Sequence, residues 1–159
     1  MARLTRKTLW IVTGALLAVV VLLQFCPAAR RMDTFTLKTA SGALTIDRFD
    51  SPERRLFVLG ALTSFPPGRG VWFVFEDMER ARIWSKNLQV EADVLWLDDT
   101  RQVVDRELRV GPCTDSNCPE YTPERFASSA LLLPPGSADE ASLAIGQTAF
   151  LQPASLPPS

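Results

Sequence analysis

The sequence predicts a mainly β, α+β fold: a compact, strand-rich, barrel-like domain with two short helices, preceded by one N-terminal transmembrane helix. The transmembrane helix is predicted because Leu9–Cys26 contains no charged side chain. The strands are predicted because apolar and polar residues alternate in short runs beyond Asp33, with the period of two that a β-strand imposes. The two short helices are predicted from helix-starting residues at Ser51 and at Ser137.

The charge-free segment Leu9–Cys26 has the length of a membrane span. Its roughly 18 residues would form a helix of about 27 Å, close to the thickness of the hydrocarbon core of a bilayer. The segment is longer than the apolar region of a typical signal peptide, and no small-x-small cleavage site follows it. A buried soluble helix is disfavoured because Leu9–Leu23 has no polar face. We therefore expect a permanent membrane anchor.

Basic residues before the anchor predict its orientation. Arg3, Arg6 and Lys7 precede the span, and basic residues are usually retained on the cytoplasmic side. We therefore expect a single-pass protein of the cell inner (cytoplasmic) membrane, with its C-terminal domain on the periplasmic, extracytoplasmic side. The chain then divides into a basic cytoplasmic tip and anchor (residues 1–29), a β-rich domain (residues 30–152) and a Pro- and Ser-rich tail (residues 153–159).

Six strands are predicted in the domain. The first two, Thr34–Leu37 and Leu44–Ile46, flank the turn residues Ala40–Gly42 and form a hairpin. Val71–Phe75 and Ala92–Leu97 are apolar on both faces, as expected of strands covered on two sides. The last two strands are Val104–Val110, in which residues alternate between core and water, and Ala130–Leu133, which is apolar throughout.

Two helices are predicted between these strands. The first runs from Ser51 to near Leu62, because Ser51 can cap the first turn and a proline and a glutamate follow directly. The second follows from Ser137 and Glu140, which have the spacing of a capping box, and is expected to end near Gly146.

The composition excludes two classes of function. The formal net charge is −1, and no cluster of basic residues marks a nucleic-acid interface, so we expect no nucleic-acid partner. The sequence contains no histidine, which removes the usual general base near neutral pH. A Ser-His-Asp or Cys-His nucleophile system therefore cannot be built within this chain. We assign no catalytic residue, no metal ligands and no cofactor.

Two of the three cysteines, Cys113 and Cys118, lie together in a polar loop. Their spacing permits a short disulfide, which would suit an extracytoplasmic domain. Free thiols are an alternative. A metal site is a third, but such a site needs three or four ligands, and the loop adds only Asp115.

Several short motifs occur in a defined order. Gly70–Phe75 is followed by Ile83–Leu88, which reads Ile-Trp-Ser-Lys-Asn-Leu, and by Glu91–Asp93. These motifs resemble the domain-of-unknown-function 192 family, small bacterial and archaeal proteins that often carry an N-terminal signal or anchor. Its members read Gly-Met-Leu-Phe-x-Phe, then Phe-Trp-Met-Lys-Asn-Thr, then Pro-Leu-Asp. The resemblance covers roughly Leu44 to Leu151 and includes a loop and a last strand at Pro112, Cys113, Cys118, Pro119, Tyr121 and Leu131–Gly136.

Some polar positions of that family are replaced in this chain. Leu132 stands where the family usually has a glutamate, and Gln147 stands where it has an aspartate, whereas Lys86, Asn87 and Asp93 persist. If the family has a polar site, the resemblance implies that this chain keeps part of it.

Trp84, Lys86, Asn87 and Asp93 form the candidate polar cluster. In a structural interpretation, Lys86 pairs with Asp93 and Asn87 satisfies backbone groups at a bend. In a functional interpretation, the ammonium, the amide and the carboxylate line a cleft that binds a ligand or, with tuned proton affinities, catalyses a reaction.

The sequence favours a non-catalytic accessory subunit of a larger integral membrane complex, for example a respiratory or photosynthetic one. The uncleaved span and the lack of catalytic residues support this hypothesis, and small residues at Gly14, Ala15 and Ala18 permit close helix packing. The alternative is an envelope ligand-binding domain, or an enzyme, that uses Lys86, Asn87 and Asp93 on a small molecule.

Overall fold

The computed structural model describes residues 33–154 of the chain. The predicted membrane anchor, Leu9–Cys26, lies outside this range, as do residues 155–159 of the predicted tail. Within the described residues, no helix is both long enough and apolar enough to cross a membrane.

The described residues form nine strands and two α-helices, with a 3-10 helix at Ser85–Asn87. The helices are α1 (Pro52–Ala61) and α2 (Ser137–Glu140). The strands, in chain order, are β1 (Thr34–Thr39), β2 (Gly42–Phe49), β3 (Arg69–Glu79), β4 (Ile83–Trp84), β5 (Ala92–Leu97), β6 (Val103–Val110), β7 (Glu120–Tyr121), β8 (Ala127–Leu133) and β9 (Leu151–Pro153).

Seven strands make one sheet in the order β6-β5-β8-β3-β2-β1-β9, and β4 and β7 pair separately. The predicted hairpin is present, since β1 and β2 pair antiparallel from Thr34 opposite Asp47 to Thr39 opposite Gly42. The neighbours β2 and β3 run parallel. A parallel connection requires a crossover, and α1 provides it.

The sheet is open, which corrects the prediction of a closed, barrel-like domain. The strands at its two ends, β6 and β9, share no ladder. Two contacts instead join the start of β6 to the segment that precedes β9. They are an isolated bridge between Gln102 and Thr148 and a 2.8 Å hydrogen bond from the Val103 N–H to the Gln147 carbonyl. Closure stops there because β9 has only three residues, and its ladder is formed with β1. The strand-rich, two-helix prediction is confirmed.

Both faces of the sheet are buried, as predicted from the apolar runs in β3 and β5. Alternate residues belong to opposite cores: Trp72 and Leu95 lie on the face that α2 covers, and Phe73 and Trp96 on the face that α1 covers. We call these the α2 face and the α1 face. The part of α1 that packs on its face consists of the half-buried residues Val58 and Leu59, with Leu62 directly after the helix.

The prediction for the second helix is wrong in two respects. Gly136, with φ +85°, is the N-cap of α2, and Ser137 makes no capping hydrogen bond. The helix ends at Glu140 rather than near Gly146. The first helix does start as predicted, because the Ser51 hydroxyl accepts a hydrogen bond from the Arg54 N–H at 3.4 Å.

Candidate functional site

The motif Ile83–Leu88 holds the loop that contains Cys113 and Cys118 through hydrogen bonds. Strand β4 brings Trp84 next to β7, and the Trp84 indole N–H donates to the Cys118 carbonyl at 3.2 Å. The Ser85 N–H and hydroxyl both donate to the Pro119 carbonyl, at 3.1 Å and 2.9 Å. Trp84 and Ser85 therefore bind the backbone carbonyls of the neighbouring loop, which is a structural role for these two residues of the motif.

The loop held in this way contains a disulfide. Cys113 and Cys118 are bonded through their sulfur atoms, with their Cα atoms 5.6 Å apart. The Cys113 N–H donates to the Ser85 carbonyl at 3.3 Å. Both ends of the disulfide loop are thus tied to Ser85 and its neighbour Trp84.

Lys86 and Asn87 stand at the surface. Both are exposed residues of the 3-10 helix. The Lys86 ammonium lies 5.3 Å from the centroid of the Trp84 ring, at the distance of a cation–π contact. The two side chains offer a cation and an amide to the solvent beside the disulfide loop.

Asp93 is buried at the start of β5, with only 1% of its surface exposed. Its Oδ1 accepts a hydrogen bond from the Arg109 N–H at 3.1 Å, and its Oδ2 accepts one from the Ala138 N–H at 3.2 Å. Arg109 has φ +54° where the register of β5 and β6 shifts, and Ala138 is the second residue of α2. The carboxylate therefore satisfies one backbone donor at a β-bulge and another at a helix start.

The structure separates Asp93 from Lys86 and Asn87, since Asp93 is buried and the other two are exposed. Asp93 has the same strand parity as Leu95 and lies on the α2 face, whereas Ile83 and Leu88, which bracket Lys86, belong to the α1 face. The predicted pairing of Lys86 with Asp93 is therefore wrong. The physical reason is that the alternation of side chains along β5 sends Asp93 away from the motif.

Two depressions beside α1 were not predicted. One, the α1 cleft, has a volume of about 260 Å³, and the other, the α1 groove, about 630 Å³. The cleft is lined by Arg55, Phe73, Phe75, Glu79, Arg82 and Ile83 among others, and the groove by Phe49, Glu53, Arg54, Phe57 and Val58. The sequence signal that could have indicated them is the mixture of basic and large apolar residues at 54–57.

The carboxylate of Asp98, which lies outside the polar cluster and the two depressions, has a lowered pKa. Burial raises the pKa of Asp98, but hydrogen bonds from the Thr100 hydroxyl and from the N–H groups of Gln102 and Thr100 outweigh it, so that the pKa of Asp98 lies below its ordinary value. All three donors reach Oδ1, at 2.7–2.9 Å. This is an Asx turn between β5 and β6. Among residues 33–154, no three His, Cys, Asp or Glu side chains are placed to hold a metal ion.

The order of the sequence motifs agrees with the model of one protein family. Residues 35–150 match the model of a family described as an uncharacterised group, domain of unknown function 192. The chain belongs to the domain-of-unknown-function 192 family. The match covers the sheet from β1 almost to β9, which confirms the resemblance carried by the motifs at Gly70–Phe75 and Ile83–Leu88. No functionally curated protein is significantly similar to the chain.

Two solved structures share the fold of this family member. A putative transcription regulator from Sinorhizobium meliloti 1021 is 20% identical, with a TM-score of 0.62 over 76% of this chain and 92% of that one. A protein of unknown function from Novosphingobium aromaticivorans DSM 12444 is 15% identical, with a TM-score of 0.60 over 76% of this chain and 86% of that one. At these identities the similarity concerns the fold alone.

Proposed function

We propose that the chain is a membrane-anchored, non-catalytic extracytoplasmic domain that serves as an accessory subunit of a larger integral membrane complex, of the respiratory or photosynthetic kind. The observation that carries the non-catalytic part of this proposal is the use of Asp93. Its two carboxylate oxygens accept hydrogen bonds from the part-buried Arg109 N–H at 3.1 Å and from the buried Ala138 N–H at 3.2 Å. A buried carboxylate engaged in this way stabilises the fold and is not presented to a substrate.

The disulfide loop supports the extracytoplasmic part of the proposal. Disulfides persist in the periplasm and outside cells, and they are rare in the reducing cytoplasm. The Cys113–Cys118 bond closes a loop at the surface. A domain that keeps such a bond is suited to the oxidising side of the inner membrane.

Purification in a mild detergent tests the proposal. The tagged full chain, expressed in its native membrane, is expected to recover one or more integral membrane proteins in stoichiometric amounts. Recovery of the chain as a monomer without partners contradicts the accessory role. A second purification in a harsh detergent is the control, because a specific complex dissociates there while contaminants bound to the resin remain.

The alternative function would need Lys86, Asn87 and Asp93 to act together, and it is disfavoured because Asp93 is buried while Lys86 and Asn87 are exposed. What remains of that site is the exposed pair Lys86 and Asn87. The double variant Lys86→Ala, Asn87→Ala should fold normally, because both side chains face solvent. A cell-based function that survives in this variant favours the accessory role. A function lost while the partners are still recovered favours a ligand site.

A further inference from the structure

Helix α1 exposes large apolar side chains that no part of the described chain covers. None of its residues is fully buried. Leu56 is 65% exposed and Phe57 75% exposed, although they follow two arginines on the same helix. Adjacent large exposed apolar residues mark a surface that contacts something else. We call these two residues, with the α1 groove beside them, the α1 surface.

The α1 groove extends this apolar surface toward the end of β2. It is lined by the apolar residues Phe49, Phe57 and Val58 and by the charged residues Glu53 and Arg54. The Arg54 guanidinium lies 5.3 Å from the centroid of the Phe49 ring. An apolar groove lined also by the Arg54 cation and the Glu53 carboxylate matches the chemistry of a phospholipid, whose acyl chain and charged headgroup require these environments side by side.

The α1 surface is close to the first described residue. Asp33 accepts hydrogen bonds from Arg48, through its carboxylate at 3.3 Å and through its carbonyl at 3.0 Å, and Phe49 of the groove follows Arg48 directly. Only six residues, 27–32, lie between Asp33 and Cys26, the last residue of the apolar segment. Two of these six, Arg30 and Arg31, are basic. The seven Cα–Cα steps from Cys26 to Asp33 span at most about 25 Å when fully extended.

We propose that the α1 surface rests in the interface of the lipid bilayer, with Leu56 and Phe57 inserted among the lipids and Arg54 against anionic headgroups. This inference depends on the proposed membrane anchor, because a short tether keeps the start of β1 near the bilayer. A helix that lies in the interface buries its apolar residues below the headgroups and keeps its basic residues at their level. The proposal explains why α1 packs on the sheet with one side only and leaves its aromatic residue outside.

Photocrosslinking in the full chain tests the contact directly. Phe57→p-benzoylphenylalanine places a photoreactive ketone on the α1 surface, and the exposed position makes a folding defect unexpected. The matched control is Phe150→p-benzoylphenylalanine. Phe150 is 76% exposed, but it borders a depression with Leu37 and Leu143, residues of the α2 face. Both variants are reconstituted in vesicles of phosphatidylethanolamine and phosphatidylglycerol, irradiated and analysed by mass spectrometry.

The expected result is a lipid adduct at position 57 that is at least tenfold more abundant than at position 150. Equal labelling at the two positions overturns the proposal, as does an adduct of position 57 with protein alone or no adduct. Carbonate extraction of the same vesicles separates this inference from the anchor itself. A chain that stays in the membrane but gives no lipid adduct at position 57 refutes only the α1 contact, whereas a chain released by carbonate refutes both.

Discussion

The carboxylate of Asp93 accepts a hydrogen bond from the backbone N–H of Ala138 at 3.2 Å, and this contact joins the start of β5 to the start of α2. Helix α2 has a glycine as its N-cap, which offers no side-chain acceptor. Its first N–H groups therefore depend on an acceptor from elsewhere in the chain. Asp93 supplies that acceptor from the sheet, and its second oxygen holds the Arg109 N–H at the bulge of β6.

Replacement of Asp93 should destabilise the fold. Asp93→Ala leaves the buried Ala138 N–H and the part-buried Arg109 N–H without their acceptor, and we expect the free energy of unfolding to fall by about 2 kcal/mol. Asp93→Asn should lower the free energy of unfolding by less, because the amide oxygen can still accept one of the two hydrogen bonds. Urea unfolding of the full chain in a mild detergent, followed by circular dichroism, measures both.

Asp99→Asn is the matched control for this experiment. It removes the same charge from an exposed turn residue, and its effect should stay within about 0.5 kcal/mol. An Asp93→Ala variant as stable as Asp99→Asn would show that Asp93 does not hold α2 in place.

Two glycines should respond to the same substitution with opposite signs. A Cβ atom at Gly70 would lie 2.8 Å from both the Ile46 Cδ1 and the Leu133 Cδ2 atoms and 3.1 Å from the Leu132 carbonyl oxygen. Gly70→Ala should therefore lower the free energy of unfolding by about 1–3 kcal/mol. At Gly60, inside α1, a Cβ meets nothing within 4 Å. Gly60→Ala should raise stability by about 0.5–1 kcal/mol, because alanine has the higher helix propensity.

The comparison of the two alanine variants in one thermal melt checks this prediction. A lower melting temperature for both would mean that α1 is not helical around Gly60. A higher one for both would mean that β2, β3 and β8 leave space around Gly70 that the structure does not contain.

Most of the sheet was predictable because its strands carry local signals. The hairpin of β1 and β2 has turn residues between two alternating segments, and β3 and β5 are apolar on both faces, as two-sided burial requires. The start of α1 was predictable for the same reason, since Ser51 caps it from within the segment. The short strands β4, β7 and β9 were not predicted, because two or three residues carry too little periodicity.

The candidate site was harder to predict because it depends on contacts between distant residues. The structural interpretation paired Lys86 with Asp93, but the parity of β5 buries Asp93 on the α2 face while Lys86 is exposed. The cap of α2 comes from Asp93, which lies 45 positions before Ala138. A local pattern at Ser137 and Glu140 could not reveal that a residue of another strand fills the role.

The disulfide provides a test of both stability and location. Closing so short a loop should stabilise the fold by about 2 kcal/mol in the chain-entropy account. Addition of a reductant should lower the unfolding free energy of the full chain by that amount. The double variant Cys113→Ser, Cys118→Ser is the control, since it should be as unstable as the reduced protein and insensitive to the reductant.

Thiol labelling of a denatured cell extract shows whether the disulfide formed in the cell. The chain contains three cysteines. If the domain lies on the oxidising side of the membrane, a thiol-reactive polymer added to denatured cell extract should label only Cys26, and prior reduction should allow labelling of all three. Three labels without prior reduction would place Cys113 and Cys118 in a reducing compartment and would contradict the extracytoplasmic location.

Asp98 should make the stability of the domain depend on pH in the acidic range. Its pKa is lower in the folded protein than its ordinary value, so the folded state favours the charged carboxylate. The resulting stabilisation is fully present above the pKa of the unfolded chain, near pH 4, and is lost as the pH falls through the lower folded value. Asp98→Asn should therefore be less stable than the wild type near neutral pH, and the difference should shrink below about pH 4. Urea unfolding of both proteins from neutral pH to about pH 3 measures this difference.

The Asp99→Asn variant, measured in parallel, should show no such change with pH. A difference between wild type and Asp98→Asn that stays constant over the whole range would mean that the Asx turn does not favour the charged form.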